Sequence, residues 1–217
     1  MDIRWVTEEN IEEADFMDGA ALMIDKPLER SSFSMVHDVR KALEERLGVK
    51  KIKVGHSGTL DPLATGLLIL CTGKWTKKLN QLQDLEKEYK GSMYLGAVTK
   101  TYDAEAEPED IVSVDHIEKE DVLKAVDQFM GTIVQKPPLY SAAKVKGKPL
   151  YKYAREGKDV TVRPRQVTIH RFDYEGREDR RIDFTVSCSK GTYIRSLVHD
   201  LGQELGAGAY LTSLRRT

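Results

Sequence analysis

The chain has 217 residues and a formal net charge of −1. Its length and its hydrophobic content of 40% suffice for one sizeable core. Its longest apolar run, residues 67–71, is far shorter than the ~20 residues that a membrane-spanning helix needs, and its acidic start lacks the basic and apolar order of a secretory signal. These features exclude membrane-spanning and secreted proteins and predict a cytoplasmic location.

The first half of the chain alternates between short strands and helices. Residues 1–19 are acidic and weakly periodic, so we interpret them as an N-terminal extension or an edge element ahead of a single domain at 20–217. Residues 34–47 carry apolar side chains at helical spacing, and Gly48 is typical of a helix end. The other elements predicted in this half are a strand at 21–24, a glycine-punctuated loop at 53–70 that runs into an apolar strand at 67–72, a short helix near 77–83 and a strand at 89–98.

The second half begins with an acidic stretch, residues 103–121, that we interpret as a surface loop. It is followed by a predicted helix that ends at Gly131, and the last predicted element is a helix at 192–205. Between these two helices we predict an extended segment at 137–138, a helical piece near 150–155 and strands at 160–177 and 181–188. Strands and helices interleave without a regular βαβ period, which favours an α+β fold with a mixed, largely antiparallel central sheet flanked by helices.

Charge is segregated along the sequence. Residues 1–20 carry a net charge of −6 and residues 103–121 a net charge of −8, so with −1 overall the remaining residues carry +13. Such segregation allows one basic face for nucleic acid on a nearly neutral chain. Solvated surface charge explains the same pattern, so charge alone leaves RNA binding undecided.

Cysteine and histidine spacing argues against a metal site. The two cysteines, Cys71 and Cys188, lie in apolar strand-like segments, where a reduced thiol behaves as a small hydrophobe. Neither Cys-x-x-Cys nor His-Glu-x-x-His occurs, and the five histidines are scattered. We therefore expect no metal.

The segment from Gly55 to Gly66, GHSGTLDPLATG, is the most informative part of the sequence. Its three glycines in twelve residues indicate a loop with backbone conformations that side chains resist, and Pro62 biases Asp61 toward an extended backbone. A phosphate-binding P-loop is excluded, because it would need glycine where Leu68 stands and serine or threonine where Trp75 stands. From the spacing alone, Asp61 is better interpreted as a turn or capping residue than as a catalytic group.

This segment resembles the catalytic motif of the TruB family of tRNA pseudouridine synthases, in which the aspartate before the proline is the essential residue. The resemblance continues along almost the whole chain, through residues 25–27 with Ser32, 87–89, 95–103, 137–142, 147–155, 188–197, 200–202 and 214–217. It implies the pseudouridine synthase fold, one catalytic domain at 20–217, and conversion of the T-loop uridine at tRNA position 55 to pseudouridine without a cofactor. The chain departs from the family pattern at Glu29 and Ser31. The sequence stops at Thr217, so the resemblance leads us to expect a short form without the C-terminal PUA-type RNA-binding domain of longer members, and whether Thr217 is the natural C-terminus stays open.

The resemblance also assigns roles to individual residues. Asp61, Tyr89 and Arg195 form the implied catalytic set: Arg195 keeps the Asp61 carboxylate ionised in a dry pocket, and Tyr89 stacks on the uracil and is the candidate to take the C5 proton. The residues implied to bind the substrate are His56, which helps to hold the RNA loop open, Tyr193, which packs below the site, and Lys26, Asp103 and Lys148. Lys26 and Lys148 are also plausible phosphate contacts, as are the basic residues Lys74, Lys77, Lys78, Lys144, Lys146 and Arg155.

Each of these residues also has a structural interpretation when it is considered in isolation. In that case Arg195 is interpreted as an exposed arginine on an amphipathic helix, Tyr89 is interpreted as a core residue, and His56 is interpreted as a structural histidine. The order of bond changes also stays open among attack at C1′, attack at C6 and proton abstraction.

Two other functions stay open at this point. One is a related synthase that acts on another RNA or inside an RNA-guided particle, and the other is a tRNA-folding chaperone without catalysis. The joint presence of Asp61, Tyr89 and Arg195 favours an enzyme over the chaperone. We expect the T-arm of tRNA as the partner, no membrane association, and a monomer.

Overall fold

The computed structural model describes residues 5–217, and its internal contacts divide the chain into two compact units. The first unit comprises the residues up to Leu85 together with Arg215–Thr217, and the second comprises Glu86–Leu214. Residues 1–4 of the expected acidic extension lie outside the described residues, and the expected single domain at 20–217 stays a prediction.

The first unit is built on the antiparallel strands β2 (Ala21–Lys26) and β4 (Ala64–Thr72). β1 (Trp5–Val6) pairs with β2 in parallel, and β3 (Val54–His56) pairs with β4 antiparallel. Its helical segments are α1 (Ser32–Leu47), a 3-10 helix (Gly73–Lys78) and α2 (Leu79–Gln83). Val6 and Phe16 are buried in the same core as Leu68 and Leu70, so the acidic N-terminal residues supply an edge strand and two core side chains.

Helix α1 follows closely from its sequence. The Ser31 hydroxyl accepts the Ser34 backbone N–H at its start, and Gly48 ends it with φ 64°. Val36 and Leu43 are buried, whereas Leu47 is 37% exposed, so the buried stripe is shorter than the apolar spacing predicts. The predicted start at residue 34 is two residues late, because the capping serine and not the first apolar residue sets the boundary.

The second unit contains a sheet in the strand order β11, β5, β10, β9, β6. Strand β10 pairs antiparallel with both β5 and β9, and β6 pairs antiparallel with β9. The strands and helices of this unit are β5 (Lys87–Leu95), α3 (Lys119–Gln128), β6 (Gly131–Gln135), the short hairpin β7 (Lys144–Val145) and β8 (Lys148–Pro149), α4 (Leu150–Arg155), β9 (Arg165–Glu178), β10 (Arg181–Cys188), α5 (Ile194–Glu204) and β11 (Ala209–Arg216), whose last two residues belong to the first unit. The expected α+β class with a largely antiparallel sheet and flanking helices is confirmed.

Several boundaries differ from the sequence predictions. Strand β4 begins at Ala64 and β3 occupies 54–56, so the loop predicted over 53–70 shrinks to residues 57–63. Gly66 lies inside β4 with φ 98°, and a Cβ there would come within 2.1 Å of the Arg216 carbonyl oxygen. This glycine therefore marks a close approach of two backbones, and not a loop.

The helices of residues 5–217 include none that is both long enough and apolar enough to span a membrane.

Candidate active site

Asp61 lies in the seven residues 57–63 that connect β3 to β4, which we call the Asp61 loop. The Ser57 N–H donates to the Ile69 carbonyl at 2.9 Å, and the Ala64 N–H donates to the Asp61 carbonyl at 3.0 Å. The buried Ser32 hydroxyl accepts the Leu60 N–H at 2.8 Å and donates to the Leu60 carbonyl at 3.0 Å. The residue before Asp61 is thus fixed through both of its backbone polar groups.

Lys26 fastens the other end of this loop. Its side chain is fully buried, and its ammonium group donates to the carbonyl oxygens of Pro27 at 2.8 Å, Arg30 at 2.7 Å and Pro62 at 3.3 Å. Burial lowers the pKa of Lys26, and the nearby Asp61 carboxylate opposes that shift. This placement differs from the expected contact with an RNA phosphate, because three backbone carbonyls already accept the three N–H donors of the ammonium group.

His56 ends β3 and begins the turn into the Asp61 loop. Its Nδ1 accepts the Gly58 N–H at 3.3 Å, and burial lowers its pKa. Arg216, only 6% exposed, donates to the carbonyls of Leu67 at 2.6 Å and Gly58 at 3.4 Å, and its charge lowers the His56 pKa further. His56 is therefore a neutral imidazole at the mouth of the loop at neutral pH.

Arg195 lies in the first turn of α5 and is 4% exposed. Its Nη1 donates to the Thr101 carbonyl at 2.9 Å and its Nη2 to the Tyr140 carbonyl at 3.0 Å. Its Nε lies 3.5 Å from Oδ2 of Asp103. We call these four residues the arginine pocket, and its burial rules out an exposed arginine on an amphipathic helix.

Asp103 is the acidic member of the arginine pocket. Its side chain is 7% exposed and accepts the Thr101 hydroxyl at 2.5 Å and the Glu105 N–H at 3.0 Å. The Thr99 hydroxyl donates to the Asp103 carbonyl at 2.8 Å. Asp103 was expected to bind the substrate; the structure places it against Arg195 inside the second unit. The Thr-x-Thr-x-Asp spacing is a sequence signal for this turn alone, since both hydroxyls bond back to Asp103.

Tyr89 and Tyr193 are both anchored by the sheet of the second unit. Tyr89 lies opposite Val186 in the β5–β10 register and is 8% exposed. Tyr193 precedes α5, and the Gln135 side chain bonds both its N–H and its carbonyl, at 2.8 and 3.0 Å. The Arg165 guanidinium lies 4.6 Å from the centre of the Tyr193 ring. The sheet thus fixes the backbone of both tyrosines within the second unit, and the Arg165 guanidinium lies against the Tyr193 ring.

Lys148 lies in the hairpin strand β8 and is already engaged. Its ammonium group pairs with Glu156 at 2.6 Å and lies 4.7 Å from the centre of the Tyr153 ring. The lysines at 148 and 158 together lower the pKa of Glu156, chiefly through hydrogen bonds. An RNA phosphate at Lys148 would therefore compete with a carboxylate.

The predicted site residues divide between the two units. His56, Lys26 and Asp61 lie in the first unit, where Lys26 and Asp61 interact, and the others lie in the second, where Asp103 and Arg195 meet. The predicted pairing of Asp61 with Arg195 joins residues of different units and stays a prediction.

The thiols and potential metal ligands were also located. Within residues 5–217, no group of three or more His, Cys, Asp or Glu side chains is arranged to hold a metal ion. Cys71 and Cys188 are free thiols in this part of the chain, and burial raises the pKa of each to about 11. Both cysteines therefore act as the small core side chains that the sequence predicts.

Comparison with known proteins gives consistent matches. A family model described as TruB family pseudouridylate synthase (N terminal domain) matches residues 44–194. The tRNA pseudouridine synthase B of Flavobacterium johnsoniae is 48% identical over 204 residues, which cover 94% of this chain and 89% of that protein. The protein of the same name from Chloroherpeton thalassium is 47% identical over 201 residues, 92% of this chain and 83% of that protein.

Two solved structures are similar over most of this chain. A crystal structure of a Cbf5-Nop10-Gar1 complex matches with a TM-score of 0.67 at 29% identity, covering 94% of this chain and 50% of that chain. A structure of an H/ACA RNP bound to a substrate RNA containing 2′-deoxyuridine matches with a TM-score of 0.63 at 25% identity, covering 93% of this chain and 47% of that chain. The chain thus spans about half the length of these two structural relatives.

Proposed function

The chain belongs to the TruB family of pseudouridylate synthases, and on this premise we propose that it converts a uridine of tRNA to pseudouridine with Asp61 as the catalytic carboxylate. The observation that carries the proposal is the construction of the Asp61 loop. Ser32 fixes Leu60, Lys26 and the Glu29 N–H both bond the Pro62 carbonyl, and Asp61 lies between these two anchored residues. A carboxylate held this way suits a reaction that needs one precisely aimed acid group.

The chemistry requires no redox change. The N1–C1′ bond of the uridine breaks, the uracil rotates, C5 bonds to C1′, and the C5 proton is removed while N1 takes up a proton, so the product is an isomer of the substrate. The Asp61 carboxylate serves either as a nucleophile or as the base that initiates elimination at the sugar. We infer that the isomerisation needs no cofactor.

We further propose that Arg195 keeps Asp61 ionised. A buried carboxylate otherwise takes up a proton, and a neighbouring guanidinium favours the charged form. The support is the burial of Arg195 and its fixation by two carbonyls, which leave little conformational freedom to the guanidinium plane. Asp103 also faces this guanidinium, at 3.5 Å from its Nε, so in this proposal one cation serves two carboxylates.

The remaining site residues are proposed to bind the target base and the surrounding RNA. The target uridine must leave its stack, and an aromatic ring such as Tyr89 returns roughly 1–3 kcal/mol by stacking on it. His56 is proposed to hold the RNA loop open, with Tyr193 below the base. The proposed substrate is the T-loop uridine at tRNA position 55, and we propose a monomer that acts in the cytoplasm.

The test is incubation of the full chain with an unmodified tRNA transcript, followed by mapping of pseudouridine at single-nucleotide resolution. We expect one new pseudouridine, at position 55, and none with Asp61→Asn, whose tRNA affinity should stay within a few-fold of wild type. A transcript with cytidine at position 55 is the substrate control. Product at a different site would assign the enzyme another uridine or RNA, and tRNA binding without any product would favour a folding chaperone.

A further inference from the structure

Tyr102, next to Asp103, has an unusual backbone conformation. Its φ of 64° lies in the left-handed region, which is rare for a bulky aromatic residue and persists only where surrounding contacts hold it. Such conformations concentrate at functional sites. Surrounding contacts must therefore hold Tyr102 in this conformation.

Three contacts restrain Tyr102. Its N–H donates to the Thr99 carbonyl at 3.2 Å, and its carbonyl accepts the Leu211 N–H at 3.0 Å. Its ring stacks on the imidazole of His199 with 3.8 Å between ring centroids and 11° between the planes. The two hydrogen bonds use only backbone atoms, so the stack on His199 is the contact that depends on the tyrosine side chain.

The two residues that flank Tyr102 both contact Arg195. The Thr101 carbonyl accepts from Nη1, and the Asp103 carboxylate faces Nε. His199 follows Arg195 by four residues in α5, and residues at this spacing share one face of a helix. One face of α5 therefore carries both the guanidinium and the imidazole. Their partners lie in one turn, residues 99–103, where Thr101 and Asp103 contact Arg195 and Tyr102 stacks on His199.

The chemistry of His199 points to stacking as its role. Its Nδ1 is buried without a hydrogen-bond partner among residues 5–217, and burial lowers its pKa, so the ring is neutral at physiological pH. A histidine kept for hydrogen bonding would have a partner at that nitrogen. The flat ring itself is the feature that the site uses.

We propose that the stacked pair Tyr102–His199 positions Asp103 against Arg195, which makes both aromatic residues positioning residues for the pseudouridine-forming reaction. The inference rests on the proposed function above for its effect on turnover. Without the stack, the strained turn relaxes, and the Thr101 carbonyl and the Asp103 carboxylate no longer hold the guanidinium in one orientation.

The kinetic test compares His199→Ala with His199→Phe, which keeps a flat ring and lacks the ring nitrogens. With unmodified tRNA, we expect kcat of His199→Ala to fall roughly 3- to 10-fold, the range of a lost aromatic pair, with KM within about 2-fold. His199→Phe should restore most of kcat, and the exposed His116→Ala is the matched control. Equal kcat for wild type and His199→Ala would overturn the proposal.

A double-mutant cycle separates positioning from general stability. If the stack acts through Asp103, His199→Ala should cost little further kcat in an Asp103→Asn background. Fully additive losses would show that His199 acts by another route and would overturn the proposal.

A second measurement is independent of catalysis. The Arg195 Nε–H resonance, assigned by its loss in Arg195→Lys, should shift or broaden in His199→Ala and return in His199→Phe. An unchanged resonance in His199→Ala would contradict the positioning role even if wild type formed no pseudouridine, an outcome that would refute the proposed function alone.

Discussion

The Asp61 loop and the arginine pocket hold ionisable side chains by opposite means. Around Asp61, the anchoring groups are a neutral hydroxyl, backbone N–H groups and carbonyl oxygens that receive the Lys26 ammonium. Around Arg195, a carboxylate of opposite charge is itself buried beside the guanidinium. The loop is therefore fixed mainly through its backbone groups, with the Lys26 ammonium near the Asp61 carboxylate, whereas the pocket buries an ion pair, and substitutions should affect the two regions by different mechanisms.

The largest expected effect comes from breaking the charge balance of the pocket. Asp103→Ala removes the buried carboxylate that lies 3.5 Å from Nε of the buried Arg195, which should reduce the free energy of unfolding by about 3–5 kcal/mol. Urea unfolding followed by circular dichroism measures this loss. The control is Asp38→Ala, which removes the half-exposed pair with Arg30 and should cost no more than about 1 kcal/mol. Similar losses in both variants would show that charge balance does not distinguish the pocket.

The next effect tests whether the loop depends on its buried lysine. Lys26→Met keeps most of the side-chain volume but removes three hydrogen bonds to carbonyls of the surrounding turns. Hydrogen bonds from a charged group contribute about 1.5–3 kcal/mol each, and the relief of burying an ammonium group offsets part of this, so we expect a net loss of roughly 2–3 kcal/mol.

Lys74→Met is the matched control for this variant. Lys74 is 76% exposed and forms a surface pair with Asp18, so its substitution should change the unfolding free energy by less than about 1 kcal/mol. A stability of Lys26→Met equal to that of wild type would mean that Ser32 and the backbone bonds suffice to hold the loop.

The same two regions show what the sequence predicts well and what it misses. Helix α1 and strand β10 follow from local signals, namely a capping serine and a terminal glycine in α1 and an alternation of apolar and polar residues in β10. The burial of Lys26 does not, because lysine is rarely buried fully and its three acceptors come from separate turns. The pairing of Asp103 with Arg195 joins residues 92 positions apart, which no local pattern encodes.

Strand β11 was missed for a related reason. Its sequence, AYLTSLRR, has no regular alternation of apolar and polar residues, and its burial pattern is equally irregular. Ala209 and Leu211 of this strand are buried, and Thr212 and Ser213 bond to Ser92 of β5, so tertiary contacts hold the strand in place. The residues that form the pocket and the loop were identified by resemblance, but their partners required the structure.

A smaller effect tests the neutral anchor of the loop. Ser32→Ala leaves the buried N–H and carbonyl of Leu60 without their side-chain partner, which should cost about 1–2 kcal/mol in unfolding free energy. Turnover should also fall, because Asp61 follows Leu60 directly. Ser113→Ala, at an exposed serine, is the control and should leave both quantities near wild type. If Ser32→Ala lowered neither, the hydroxyl would not be an anchor of the Asp61 loop.

The smallest effect concerns Asp200, a partly buried carboxylate of α5 whose pKa no neighbouring cation among residues 5–217 lowers. Burial raises the pKa of Asp200 from 3.8 to about 6. Between pH 3.8 and about 6, the Asp200 carboxyl group is ionised in the unfolded chain and still protonated in the folded one, so the free energy of unfolding decreases as pH rises. Above about pH 6 this loss of stability stays constant. Asp200→Asn removes this titration. It should therefore match wild type near pH 4 and exceed it at pH 7.5 by on the order of 1 kcal/mol, after discounting for partial exposure. Thermal unfolding at both pH values measures the difference. A variant less stable than wild type at pH 7.5 would mean that the charged Asp200 stabilises α5, and that the contrast between balanced and unbalanced buried charge does not hold in this helix.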